Sequence, residues 1–121
     1  MFKKGGQVSY EEKGEELVVH VGGEIDHHSA PLVRKKMDEA IFLYRPKRAV
    51  IVLSEIDFMD SSGLGLILGR YNRLQSIGAN LCLEHPTPQI EKILRLAGVE
   101  RIIAVVINDQ KESCHNEKRK D

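Results

Sequence analysis

The sequence predicts a single α/β domain in which an N-terminal β-hairpin leads into alternating helices and strands, giving a mixed sheet with helices packed on it. Three observations carry this reading. Residues 7–11 and 16–21 flank Lys13-Gly14 as strand-like runs around a tight turn. Residues 49–54, AVIVLS, form a short apolar run rich in β-branched side chains, the pattern of a strand covered on its faces. Three further stretches repeat apolar residues at helical spacing, each followed by a strand-like segment, and such alternation favours a mainly parallel sheet. A chain of 121 residues is the size of one ordinary domain with its own core.

In chain order, LVVHV in the second hairpin run has the composition of a half-buried strand. After GGEIDHH, Ser29 is placed to cap a helix in which Val33, Met37, Ala40, Ile41 and Tyr44 share one face. Arg34, Lys35, Lys36 and Asp38 mostly face out, and Pro46 marks the end. The AVIVLS strand comes next. Residues 62–77 predict a second helix with the stripe Leu64, Ile67, Leu68, Tyr71, Leu74 and Ile77, stopped by Gly78, where positive φ costs little. NLCLE, residues 80–84, supplies another strand. Thr87 and Pro88 read as N-cap and first position of a third helix, with Ile90, Ile93, Leu94 and Ala97 as its buried face and Gly98 as its stop. RIIAVVI, residues 101–107, is the last strand. The domain is therefore placed at residues 1–108. Residues 109–121, DQKESCHNEKRKD, offer almost nothing apolar to offset the entropy of ordering and are expected to be a flexible tail.

Lysine plus arginine number 18 and aspartate plus glutamate also 18. No overall field then draws the chain to a nucleic-acid backbone or an anionic membrane, so binding must come from local shape and chemistry. No apolar run approaches the roughly 20 residues a membrane span needs, and MFKKGG lacks the apolar segment of a secretory signal; a soluble cytoplasmic protein is expected. Cys82 and Cys114 show neither metal-ligand spacing nor a disulfide framework and read as free thiols, and Cys114-His115 lacks the further ligands of a metal site. With no exposed apolar helix evident, the free chain is expected to be a monomer.

The most unusual stretch is FMDSSGLG, residues 58–65, which places an acid, two serines and two glycines before the second helix. A nucleophile elbow would need a glycine two residues before the serine, and Met59 and Asp60 stand there instead; the histidines are also poorly placed as a base. GLGLILG, with Gly63, Gly65 and Gly69, resembles a dinucleotide fingerprint, and Glu84 even lies where a ribose-binding acid could stand. Against it, EIDFMDSS separates the glycines from the AVIVLS strand, and no lysine follows as in a P-loop. Helix capping accounts for one small polar residue but not for three in succession. A serine at a helix N-terminus has a further property. Once phosphorylated, its dianion meets the positive end of the helix and free amides, so the helix need not unfold.

GEIDHH, residues 23–28, and FMDSSGLGLILGRY, residues 58–71, together resemble the STAS domain of bacterial anti-sigma-factor antagonists of the sporulation type. The resemblance runs from the first strand to the last. It implies that Ser61 is the phosphorylation site, that Ser62 serves the helix cap, and that Asp26 lies beside the loop on the same docking surface. Asp26 reads equally well as a turn or cap acid. His27 and His28, as neighbours pointing apart, are a poor metal pair and better suited to solvent or partner contact. The docking surface implied is Asp26, His27, Met59, Asp60, Ser61, Ser62, Gly63 and Leu64.

The resemblance further implies partner switching. The unphosphorylated chain binds an anti-sigma factor with serine kinase activity and frees its sigma factor; phosphorylation on Ser61 releases the chain, and a serine phosphatase restores it. Under that reading the chain is not an enzyme and needs no cofactor. The rival readings are a nucleotide-binding protein using the glycine-rich helix start and a STAS module of a stress-signalling complex. One departure from the family pattern is the polar end of this chain, where relatives of this type carry an amphipathic helix.

Overall fold

The computed structural model describes residues 5–107, so the expected tail, Cys114 and His115 lie outside the described residues. Strands β1 (Gln7–Lys13) and β2 (Glu16–Ile25) form the predicted hairpin, turning at Gly14, whose φ of 65° suits glycine. Helix α1 (Ala30–Tyr44), β3 (Arg48–Met59), α2 (Ser61–Ser76), β4 (Asn80–Glu84), α3 (Pro88–Leu96) and β5 (Ala104–Val106) follow. The sheet order is β1-β2-β3-β4-β5, with β1 antiparallel to β2 and all later pairs parallel.

Each parallel neighbour is also the next strand in sequence, and right-handed crossovers in such an order put every connecting helix on one face. The core shows this. Buried residues of the three helices, such as Val33, Met37, Leu66, Leu74, Ile90 and Leu94, join Leu17, Val19, Ala49, Ile51, Leu81 and Leu83 in one cluster. Val18, Val50, Cys82 and Val106, alternating with these along the strands, form a smaller cluster on the opposite face, which no buried residue of a described helix joins. Cys82 is buried in this smaller cluster, 4% exposed. No described helix is long and apolar enough to cross a membrane.

Three elements differ from expectation in ways that matter. Strand β3 does not stop at residue 54 but runs to Met59. Its register against β2 slips twice: His20 pairs with Val52 but Gly22 with Glu55, and Gly23 pairs with Ile56 but Glu24 with Phe58. Each slip inserts one extra residue into β3, so the buried positions Ile51, Leu53, Ile56 and Met59 are spaced by two, three and three. Bulges thus hide the two-residue period by which a strand is recognised.

Helix α2 is rotated from the predicted stripe. It buries Gly63, Leu66, Ile67, Arg70 and Leu74, while Leu64, Leu68 and Tyr71 are half-buried and Ile77 is exposed. A glycine and an arginine occupy the inner face because one sits under Met59 and the other is paired, features no hydropathy pattern reveals. Similarly, Tyr44 and Ala97 are exposed, and β5 is only three residues because Val99–Arg101 turn as a short 3₁₀ helix. The caps of α3 hold as expected: the Thr87 hydroxyl accepts the Ile90 amide at 3.3 Å, and Gly98 has φ 78°.

Candidate functional site

β2 and β3 end together at their C-terminal ends, where Glu24 pairs with Phe58 and Ile25 with Met59. The two sequence motifs therefore meet, although residues 29–57 separate them. The amide of Asp60 donates to the carbonyl of Ile25 at 3.2 Å, tying the second loop to the first.

Asp60 is the N-cap of α2, with extended φ, and its Oδ1 accepts the amide of Ser62 at 2.8 Å, while its carbonyl accepts the amide of Gly63 at 2.9 Å. Of the three residues Asp60, Ser61 and Ser62 that the sequence offered as the cap, it is Asp60 that serves, and not the Ser62 implied by the resemblance, because Ser61 is already the first helical residue. Ser61 is exposed, and its hydroxyl makes no hydrogen bond among the described residues. It stands on the first turn, where backbone amides and the helix dipole favour a negative charge.

Beneath the loop, Gly63 is buried. A Cβ built there would fall 2.1 Å from Cγ and 2.6 Å from Sδ of Met59, so only glycine lets α2 settle on the end of β3. Met59 is itself 4% exposed. Both residues were expected on the docking surface; they instead form its support, since close packing turns them inward. The extension of β3 removes one objection to a dinucleotide fingerprint, for the helix begins directly after the strand. The inward packing of Gly63 supplies a stronger one, because the glycine's open side is filled by protein and not left for a ligand.

The first loop is held by a reciprocal pair. Asp26 Oδ1 accepts the amides of His28 at 2.9 Å and Ser29 at 3.0 Å, while Ser29 Oγ accepts the Asp26 amide at 3.1 Å and donates to the Glu24 carbonyl at 2.7 Å. Ser29 precedes α1 but does not cap it through its side chain. The hydrogen bond from the Ser29 amide, with that from His28, holds the Asp26 carboxyl below its ordinary value. Asp26 is therefore a turn acid, half-buried, and its Oδ2 has no hydrogen bond among the described residues. The rings of His27 and His28 do not point apart: their centroids lie 4.1 Å apart at 37°. Among the described residues, no group of three or more His, Cys, Asp or Glu is arranged to hold a metal.

Two features escaped sequence reasoning. Phe58, opposite Glu24, is 44% exposed at the same strand ends, an aromatic side chain that the bulged register turns to solvent. Arg70 is buried, with Nε 2.9 Å from Asp38 Oδ1 on α1, and Arg73 Nε lies 3.7 Å from the same oxygen. The Arg70 contact has the length of a hydrogen bond but not its alignment, so it acts as an ion pair locking α1 to α2.

The sequence model of the STAS domain family matches residues 7–113. The chain belongs to the STAS domain family. Among curated relatives, the anti-sigma F factor antagonist of Paenibacillus polymyxa is 36% identical over 103 residues, covering 85% of this chain and 88% of that protein. Among solved structures, the STAS fold of this chain is similar to the anti-sigma factor antagonist SpoIIAA in its unphosphorylated form, with TM-score 0.75, 28% identity, and coverage of 95% and 98% of the two chains. It is also similar to the Bacillus cell fate determinant SpoIIAA in the phosphorylated form, with TM-score 0.68, 28% identity and coverage of 93% and 100%. In STAS terms, the ridge of Asp26, His27, Asp60, Ser61, Ser62 and Leu64 is the surface that the two motifs build together.

Proposed function

We propose that this STAS domain is an anti-sigma-factor antagonist switched by phosphorylation of Ser61. The observation that carries the reading is the placement of Ser61: exposed, without a hydroxyl hydrogen bond among the described residues, and first in a helix already capped by Asp60. A kinase can reach its hydroxyl without unfolding anything, and the phosphate arrives where helix amides tolerate it. The relatives' names and the two forms of SpoIIAA support the same reading.

In mechanism, the unmodified ridge docks on an anti-sigma factor and frees the sigma factor it holds. That anti-sigma factor, acting as a serine kinase, transfers the γ-phosphoryl group of ATP to the Ser61 oxygen, breaking the bond to the bridging oxygen so that ADP leaves and the hydroxyl proton is released. The new group adds about −1.5 to −2 charge and a hydration shell to a surface that must be desolvated on docking. A hundredfold loss of affinity needs only about 2.8 kcal/mol, within reach of desolvation and like-charge repulsion at an interface. A serine phosphatase returns the chain to its binding form. The chain is substrate and ligand in this cycle, not catalyst, and acts in the cytoplasm with its partners.

The test is incubation with a cognate anti-sigma kinase and ATP, followed by peptide mass mapping. One phosphate on Ser61 is expected. Phosphate confined to Ser62, or none on either serine, contradicts the assignment.

A further inference from the structure

α1 and α2 enclose a shallow groove of about 420 Å³ beside the loop, lined among others by His27, Arg34, Ser62, Gly65, Gly69 and Arg70. An added Cβ at Gly65 or Gly69 would meet nothing within 4 Å. The two glycines stand four residues apart, hence on one helix face, and leave the groove floor bare.

The groove is cationic. Arg70 and Arg73 share the single carboxylate of Asp38. Arg34 is exposed and makes no ion pair among the described residues. Burial lowers the Arg70 pKa, Asp38 opposes this, and the charges of Arg34 and Arg73 lower it further, so Arg70 lies within reach of both other positive charges. Two guanidiniums share one carboxylate while Arg34 lines the groove without an ion pair among the described residues, which leaves room for another anion, and a planar guanidinium pairs best with a carboxylate in two-point geometry. An apolar occupant would instead have to bury the Arg34 charge unpaired. Ser62 lines one end of the groove and Ser61 precedes it, so a protein that reaches Ser61 also covers the groove.

We infer that this groove receives an acidic side chain of the anti-sigma factor, its carboxylate pairing with Arg34 while Ser61 docks. The inference rests on the proposed antagonist function and names the chemistry of its partner's contact.

The experiment titrates the cognate anti-sigma kinase with the wild-type chain and with Arg34→Glu, Gly69→Leu and Ser61→Asp, at two salt concentrations. Arg34→Glu is expected to lose at least about tenfold in affinity, with a shallower salt dependence. Gly69→Leu fills the groove and is expected to lose affinity too, while its Tm stays equal or rises, because leucine favours a helix over glycine. If Arg34→Glu binds normally while Ser61→Asp still weakens binding, the groove inference is overturned and the antagonist function stands. That holds even if Gly69→Leu is weak, since the groove would then be covered without an acidic partner. If the wild-type chain does not bind at all, the proposed function falls and the groove inference with it.

Discussion

The amide of Asp60 donates to the carbonyl of Ile25 at 3.2 Å, one residue beyond the last ladder pair, Ile25 with Met59. This bond makes two distant loops into one ridge. Asp60 also caps α2, so its side chain carries a second duty that can be tested separately. Asp60→Ala is expected to lose about 1 kcal/mol of stability and Asp60→Asn clearly less, because asparagine keeps the acceptor oxygen. Urea denaturation of both variants measures the difference.

Gly63 tolerates no side chain while Met59 keeps its place. Gly63→Ala should cost about 1–3 kcal/mol through overpacking. Pairing it with Met59→Ala removes the clash, so the double variant should lose less than the sum of the single losses. Additive losses would mean that the two residues do not press on each other.

The Arg70 to Asp38 pair locks the helices that form the ridge and groove. Removing one partner of a fully buried pair costs about 3–5 kcal/mol; Asp38 retains 27% side-chain exposure, so Asp38→Ala is expected to cost about 2 kcal/mol. Asp38→Ala with Arg70→Met should recover part of that loss, read as a rise in the urea midpoint over Asp38→Ala alone.

Asp26 provides a pH signature. Its folded pKa lies below the ordinary 3.8, chiefly through the Ser29 amide. A carboxylate shifted down stabilises the fold above its unfolded pKa, and that contribution is lost as pH falls through the folded value. Asp26→Asn should therefore be less stable than wild type at pH 7, with the gap narrowing below about pH 4. A gap that is constant from pH 7 to pH 3 would show that the carboxylate's charge plays no part.

Much of this was legible in the sequence. The hairpin, the alternation of helices and strands, and the caps at Thr87, Gly78 and Gly98 follow from local chemistry that tertiary contacts do not override. The family resemblance pointed to Ser61, and the structure leaves that hydroxyl exposed. Hidden from a linear reading were features that depend on a partner strand or helix. The two bulges of β3 exist only relative to β2, and the burial of Arg70 makes sense only once Asp38 faces it. Met59 and Gly63 looked like surface residues of a polar loop because their contact with each other becomes visible only when α2 lies on β3.

The most direct test compares the affinity of the anti-sigma kinase for the unmodified chain and for the same chain carrying phosphate on Ser61, with circular dichroism and Tm recorded for both. The account predicts at least about a hundredfold weaker binding by the phosphorylated chain with an unchanged fold. Equal affinities, or a loss of binding that tracks unfolding of the phosphorylated chain, would contradict it.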